Sequence, residues 1–364
     1  MKLYQIGSIA GQKDSVFLNC STLLEFIQSQ NSVWIVAERK GELLAVFSML
    51  IDRENRLAKI NRLYIDPGWD DWERLLREGL PLLVRYLKDQ KRNIEVLYVT
   101  TRTFTLEQQE VILKMGFKIL GVFPVSPVHE QSSVNGLTAL FFEDVLSERR
   151  YQDFSLHPIV KPFYELARKE CGLPDLEVST HTKFGAMEYS PLPPLELIYA
   201  PQFVSRRYQK LEERKSLAIH FYPFSKPNTL ITDADGKVEI YVKAMKDSHM
   251  ATIIAERMDF SVNPTELYKK VSLMLAKENI NYVEVINDAA DTWGIECITE
   301  AGFLPCAYFP CLKNQGEGRR DYVILARSFE RFFLDKKDIS QANPKYLDFW
   351  REYYKLEVRD YLNT

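Results

Sequence analysis

The chain has 364 residues, 46% hydrophobic and 12% aromatic, with 47 basic against 50 acidic side chains for a net charge of −3. That length suits two domains of roughly 100–200 residues each, and the near-balanced charge excludes any global electrostatic attraction to nucleic acid. No run approaches the ~18 apolar residues of a membrane span, and the opening MKLYQIGSIAG lacks the basic and apolar regions of a signal peptide.

The five cysteines (Cys20, Cys171, Cys297, Cys306, Cys311) have no metal-ligand spacing, so reduced thiols in a cytoplasmic protein are expected. The five histidines are scattered singly, and no metal site is expected.

In chain order, residues 2–6 alternate weakly and predict a first strand. Residues 16–27 have helical spacing through Val16, Phe17, Leu23, Leu24 and Ile27. Residues 33–38 and 43–51 are β-rich runs around Lys40-Gly41, a hairpin signal. A fourth strand over 57–65 stops at Pro67-Gly68. The stretch 70–89 is amphipathic through Trp72, Leu75, Leu76, Leu80, Leu83, Val84 and Leu87, with Pro81 a candidate kink. Strand 94–100, helix 106–115 closed by Gly116, and strands 117–123 and 137–142 complete the unit.

Residues 157–195 form a proline-containing connector, extended and stiff around Pro191, Pro193 and Pro194, followed by a helix over 200–214. Strands are expected at 229–232, 237–244 and 252–258, with Asp235-Gly236 as a turn. Helix 265–277, strand 282–286, helix 293–301 and strands 303–309 and 321–326 follow. Asn343 and Pro344 open a final helix whose stripe reads Leu347, Trp350, Tyr354, Val358, Tyr361 and packs across both domains.

The second run of elements repeats the first. Residues 111–124 align without gaps on 297–310, an offset of 302 − 116 = 186. Across 110–124 six of fifteen positions are identical, where unrelated sequences would share about one. A repeat this long is a domain, since solenoid units run to about 20–50 residues. The expected fold class is α/β with a mixed (α+β) sheet, in two tandem domains at 1–150 and 215–330. A connector at 151–214 joins them, and a helical tail at 331–364 follows.

The element order, the stretch Leu63-Tyr64-Ile65-Asp66-Pro67 ending the fourth strand, and Lys114-Met115-Gly116-Phe117 closing a helix resemble the GNAT superfamily of acyl-CoA N-acyltransferases. The resemblance covers 1–145 and, with Gly302-Phe303, 215–330. It implies acetyl-CoA or another acyl-CoA as donor and an amine, on a small molecule or a protein, as acceptor. It further implies a pyrophosphate cradle at a glycine-rich strand-to-helix loop, a strand-borne general base, and an oxyanion site at a strand bulge beside the splay that receives the CoA thiol.

Neither copy has the glycines of that cradle. The first copy offers Asp70, Asp71 and Glu73, which favour a helix N-terminus but oppose a diphosphate. The second offers Ser261, Val262, Asn263 and Thr265, with Lys269 a turn further on, as the residues to hold CoA. Glu256, flanked by apolar residues, is the candidate catalytic base, although simple alternation would turn it outward. The tyrosine that the family carries four residues before Gly-Phe is Ile112 in one copy and Ile298 in the other. Three readings follow: an N-acyltransferase with the C-terminal copy active, a non-catalytic binding or regulatory protein, and a Fem-like aminoacyl or peptidyl transferase.

Overall fold

Lys40 and Gly41 adopt positive φ (52° and 83°), as a two-residue hairpin turn requires, and join β1 (Ser32–Arg39) to β2 (Glu42–Asp52). The protein is seen here as a computed structural model that describes residues 20–66, 68–69, 71–89, 93–100, 106–125, 135–180, 188–330, 334 and 336–363. The strand expected at 2–6 lies outside these residues. The helix expected at 16–27 is described as α1 (Cys20–Gln28). The first copy continues through β3 (Leu57–Ile65), α2 (Trp72–Asp89), β4 (Val96–Thr100), α3 (Leu106–Lys114), β5 (Lys118–Val122) and β6 (Gly136–Phe141). Pro81 sits on the exposed side of α2 without ending it.

Between the copies lie α4 (Lys161–Cys171), β7 (Glu196–Tyr199) and α5 (Pro201–Glu213). The second copy comprises β8 (Ala218–Ile219), β9 (Thr229–Thr232), β10 (Val238–Met245), β11 (Met250–Met258), α6 (Pro264–Lys277), β12 (Tyr282–Asp288), α7 (Thr292–Glu300), β13 (Leu304–Gln315) and β14 (Gly318–Ser328). The tail holds α8 (Lys336–Gln341) and α9 (Pro344–Asn363). Helix α4 differs from the expectation of an extended connector. It buries Phe163, Tyr164 and Ala167 on one face, a short stripe masked in the sequence by the prolines around it.

The strands form one mixed sheet in the order β1-β2-β3-β4-β6-β5-β13-β14-β12-β11-β10-β9-β7. The first copy therefore reads outward from β5 as the second does from β13. Gly121 of β5 pairs antiparallel with Ala307 of β13. They are counterparts in the sequence repeat, since 307 − 121 = 186, so a pseudo-twofold axis runs through this seam. A Cβ on Gly121 would lie 2.1 Å from the Ala307 Cβ and 2.4 Å from its Cα. Only glycine lets the two copies approach this closely.

The repeat extends to backbone detail. Gly116 (φ 95°) and Gly302 (φ 90°) each end a helix in the left-handed region, and their N–H groups donate to Leu113 O and Thr299 O. Parallel pairing joins β3 to β4 from Leu57↔Val96 to Lys59↔Tyr98, and β11 to β12 from Met250↔Tyr282 to Ile253↔Val285. Beyond these rungs the strands of each pair part into a splay. A bulge follows in both copies: Asn61 is the extra residue of β3 and Ile254 that of β11. Asp66 and Asp259 then form the same turn, each accepting from the second N–H onward (Gly68, 2.9 Å; Ser261, 2.9 Å).

Three clamps hold the copies together besides the seam. Helix α9 packs on β5, β13 and α4, and buries Tyr346, Phe349, Trp350 and Tyr353. The core-facing stripe thus lies one position away from that read in the sequence: Trp350 belongs to it, while Val358 is exposed and Leu347 and Tyr354 are only half-buried. Arg319 of β14 is fully buried. It donates to Glu95 Oε2 (2.8 Å) and to Asn55 O (2.8 Å) in the first copy. Arg150, at the end of the first copy, meets Asp321 at 2.6 Å, both side chains without solvent exposure, and Tyr308 OH (2.6 Å) and Cys311 N (3.0 Å) also donate to the carboxylate. The close pairing and these hydrogen bonds offset the loss of hydration that burying both charges costs.

Candidate functional site

The bulge at Ile254 decides where Glu256 points. Ile253 faces the α6 side with Leu267 and Val271, whereas Ala255 faces α5 with Val204. An inserted residue shifts the alternation by one, so Glu256 turns to the α6 face and is removed from bulk solvent. Its side chain is 13% exposed. The Tyr268 hydroxyl of α6 donates to Glu256 Oε2 at 2.6 Å. His220, just after β8, lies with Nε2 2.8 Å from the same hydroxyl and 3.6 Å from Glu256 Oε2.

Because the phenol gives its single proton to the carboxylate, His220 Nε2 must carry the hydrogen in that contact. Burial, reinforced by the Glu256 charge, raises the Tyr268 pKa well above its ordinary 10.0 and keeps the phenol protonated. Tyr268 and His220 are the members of this group that residue spacing did not disclose. Tyr268 sits within the apolar stripe of α6, where a core role is the ordinary reading, and only the bulge brings Glu256 to it. Ile112 and Ile298, in the family's tyrosine position, are both buried core residues.

The remaining expected site residues gather at the N-terminus of α6. Asn263 caps the helix, its side chain accepting from Thr265 N (2.9 Å) and Glu266 N (3.3 Å), with Pro264 at the first helical position. Ser261 N donates to the Asp259 carboxylate and Val262 N to Asp259 O (3.0 Å). Val262 is buried and bridges to Ser190 of the connector. The helix end expected to offer open N–H groups therefore has these donors engaged by its own chain, and Asp259 adds an acid beside them. Thr265 Oγ1 lies 3.5 Å from Glu300, and Lys269 is exposed one turn into the helix. In the first copy Asp70 falls outside the described residues, Asp71 is exposed, and Glu73 pairs with Arg77.

The second splay is also occupied. Strand β8 pairs antiparallel with β11, Ala255 opposite Ile219 and Glu256 opposite Ala218. It takes the edge of β11 that β12 leaves after Ile253.

A second polar cluster lies at the Thr252–Glu284 rung of β11 and β12, before the bulge and on the opposite face. Glu284 of β12 accepts from Thr252 Oγ1 and Tyr282 OH, each at 3.0 Å. Burial raises its pKa against the pull of these bonds and of the Lys59 charge. Lys59 and Tyr98 are the first-copy counterparts of Thr252 and Glu284. The Lys59 ammonium stands 5.6 Å from the Tyr98 ring centroid.

Among the described residues no helix is long and apolar enough to cross a membrane, and no three His, Cys, Asp or Glu side chains gather to hold a metal ion.

No family model and no curated protein matches the sequence. Solved structures similar to part of the chain include the microcin C7 self-immunity acetyltransferase MccE in complex with acetyl-CoA and AMP (15% identity over 39% of this chain and 82% of that one, TM-score 0.31). Another is the PaiA N-acetyltransferase of Thermoplasma acidophilum with coenzyme A (15% identity, 38% and 86%, TM-score 0.28). A third is the ribosomal-protein-S18-alanine N-acetyltransferase of Escherichia coli (14% identity, 34% and 78%, TM-score 0.28).

Proposed function

We propose that the chain is a tandem GNAT-like N-acyltransferase that moves an acyl group from acyl-CoA to an amine, with its chemistry in the second copy. The observation that carries this reading is the meeting of Glu256, Tyr268 and His220 beside the Ile254 bulge at a strand splay. Tyr268 engages Oε2 of Glu256 and is itself held by His220, so Oε1 is the oxygen to receive the amine's proton. Glu256 takes a proton from the amine as nitrogen attacks the thioester carbonyl. The bulge N–H groups stabilise the oxyanion. The C–S bond then breaks, and the thiolate leaves as the thiol, taking up the proton that Glu256 received from the amine, while Tyr268 holds the carboxylate in place. Thr265 and Lys269 are the groups that would meet the diphosphate, with the Asn263 cap limiting how much helix N-terminus is free to bind it.

A specific observation favours a second reading, a binding or regulatory protein that does not turn over: β8 fills the splay. Calorimetric titration of the full chain with CoA and acetyl-CoA, together with thiol release from acetyl-CoA over a panel of amines, separates the two. Binding with amine-dependent thiol release supports transfer. Binding without release over the whole panel supports the second reading, and no binding at all sinks both acyl-CoA schemes.

A further inference from the structure

The segment that fills the second splay is built in two unlike parts. From His220 onward it is pinned. His220 bonds Tyr268, Phe221 packs on Tyr322 with ring centroids 5.7 Å apart and lies under Lys313, and Phe224 meets Tyr98 of the first copy at 6.3 Å. Upstream, α5 ends at Glu213 and Lys215 takes the left-handed conformation (φ 52°), which costs a non-glycine residue strain. Between these points Ser216 donates twice to Leu211 O and Leu217 packs on the α5 core, whereas Ala218 is exposed and residues 218–219 meet β11 at two ladder positions.

We infer that β8 is a self-supplied gate. It competes with the acyl-CoA arm for the edge of β11 at Ala255 and Glu256, and residues 218–219 bow away from that edge while Lys215 and His220 on either side stay anchored. This inference rests on the acyl-CoA reading above. A two-residue strand with one exposed member holds its edge by few interactions, each backbone hydrogen bond contributing little net stability against water. An extended ligand arm that supplies the same donors and acceptors can replace it. Retention of His220 keeps Tyr268 and Glu256 in place during the exchange, so opening exposes a preformed reactive group. The gate leaves Glu256 covered until a ligand long enough to reach the edge has entered.

The test is amide hydrogen exchange of the full chain with and without CoA, paired with calorimetry on the wild type and on Ala218→Pro, which removes a strand N–H. The gate requires CoA to speed exchange at 217–219 while 253–256 stay protected, and Ala218→Pro to bind CoA about tenfold more tightly. CoA that binds while exchange at 217–219 is unchanged makes β8 a fixed plug and overturns the gate, leaving the acyl-CoA reading intact. Absence of CoA binding in both proteins removes that reading and the gate with it. The wild-type exchange measurement decides the matter even where the proline variant fails to fold.

Discussion

Gly121 pairs with Ala307, its own counterpart in the second copy, and the space between them has no room for a methyl group. Gly121→Ala is expected to destabilise the protein by about 1–3 kcal/mol, because the added carbon must push the seam apart. Ala307→Gly in that background should recover only part of the loss: the new Cβ still meets the Ala307 Cα at 2.4 Å and Cys306 O at 2.7 Å. Thermal unfolding of the single and double variants checks this. Full stability in Gly121→Ala would mean that the seam does not exist as described.

Helix α9 should contribute to the stability of both copies. Trp350 is 1% exposed and stacks on Tyr354 with centroids 5.4 Å apart. Truncation to alanine should cost about 3–5 kcal/mol. Val358, 56% exposed on the same helix, should tolerate serine within about 0.5 kcal/mol. Equal effects at the two positions in a denaturant titration would refute the observed helix face.

Replacing Glu256 with glutamine keeps the shape and removes the base. If the second copy transfers acyl groups, turnover should fall about 10²–10⁴-fold with CoA affinity nearly unchanged. Tyr268→Phe should lower turnover less and displace the pH profile, because the phenol orients Oε2 rather than attacking the substrate. Unchanged turnover in Glu256→Gln would remove it from the chemistry.

Two carboxylates between the copies should give pH dependences of opposite sign. Burial acts to raise the Glu95 pKa, but hydrogen bonds from Arg56 and Arg319 outweigh it and hold the group below its ordinary 4.5. Its contribution is therefore present above that value and lost as pH falls through the lower folded pKa. Glu95→Gln should cost about 2–3 kcal/mol near neutrality and progressively less in acid. Glu284 is shifted upward, so the folded state binds its proton more tightly than the unfolded chain does. That stability is fully present below 4.5 and is lost as pH rises through the folded pKa. Glu284→Gln should be neutral in acid and stabilising at higher pH. Urea midpoints measured from acid to neutral pH discriminate the two, and parallel curves for both variants would contradict this assignment.

Much of the architecture was legible before any coordinates. The matched Gly-Phe and Phe-Pro pairs at an offset of 186, the Lys40-Gly41 and Asp235-Gly236 turns and the apolar periodicities are local signals. Local hydrogen bonding and side-chain alternation determine what such signals mean, so strands such as β9 and helices such as α6 fall where the spacing put them. Glu256 is also legible, as the one carboxylate within the apolar run of β11.

What surrounds Glu256 was decided by tertiary structure. A bulge is an event of pairing between two strands, so the extra residue at Ile254 cannot be read from β11 alone, yet it turns Glu256 from solvent to Tyr268. His220 and Tyr268 lie 48 residues apart in sequence, and no periodicity links them. The filling of the splay by β8 is a competition between segments for one strand edge, as is the capture by Asn263 and Asp259 of N–H groups that an isolated reading leaves free. Residue chemistry and repeat were written in the sequence. Which edges, donors and faces remained available depended on the whole chain folding against itself.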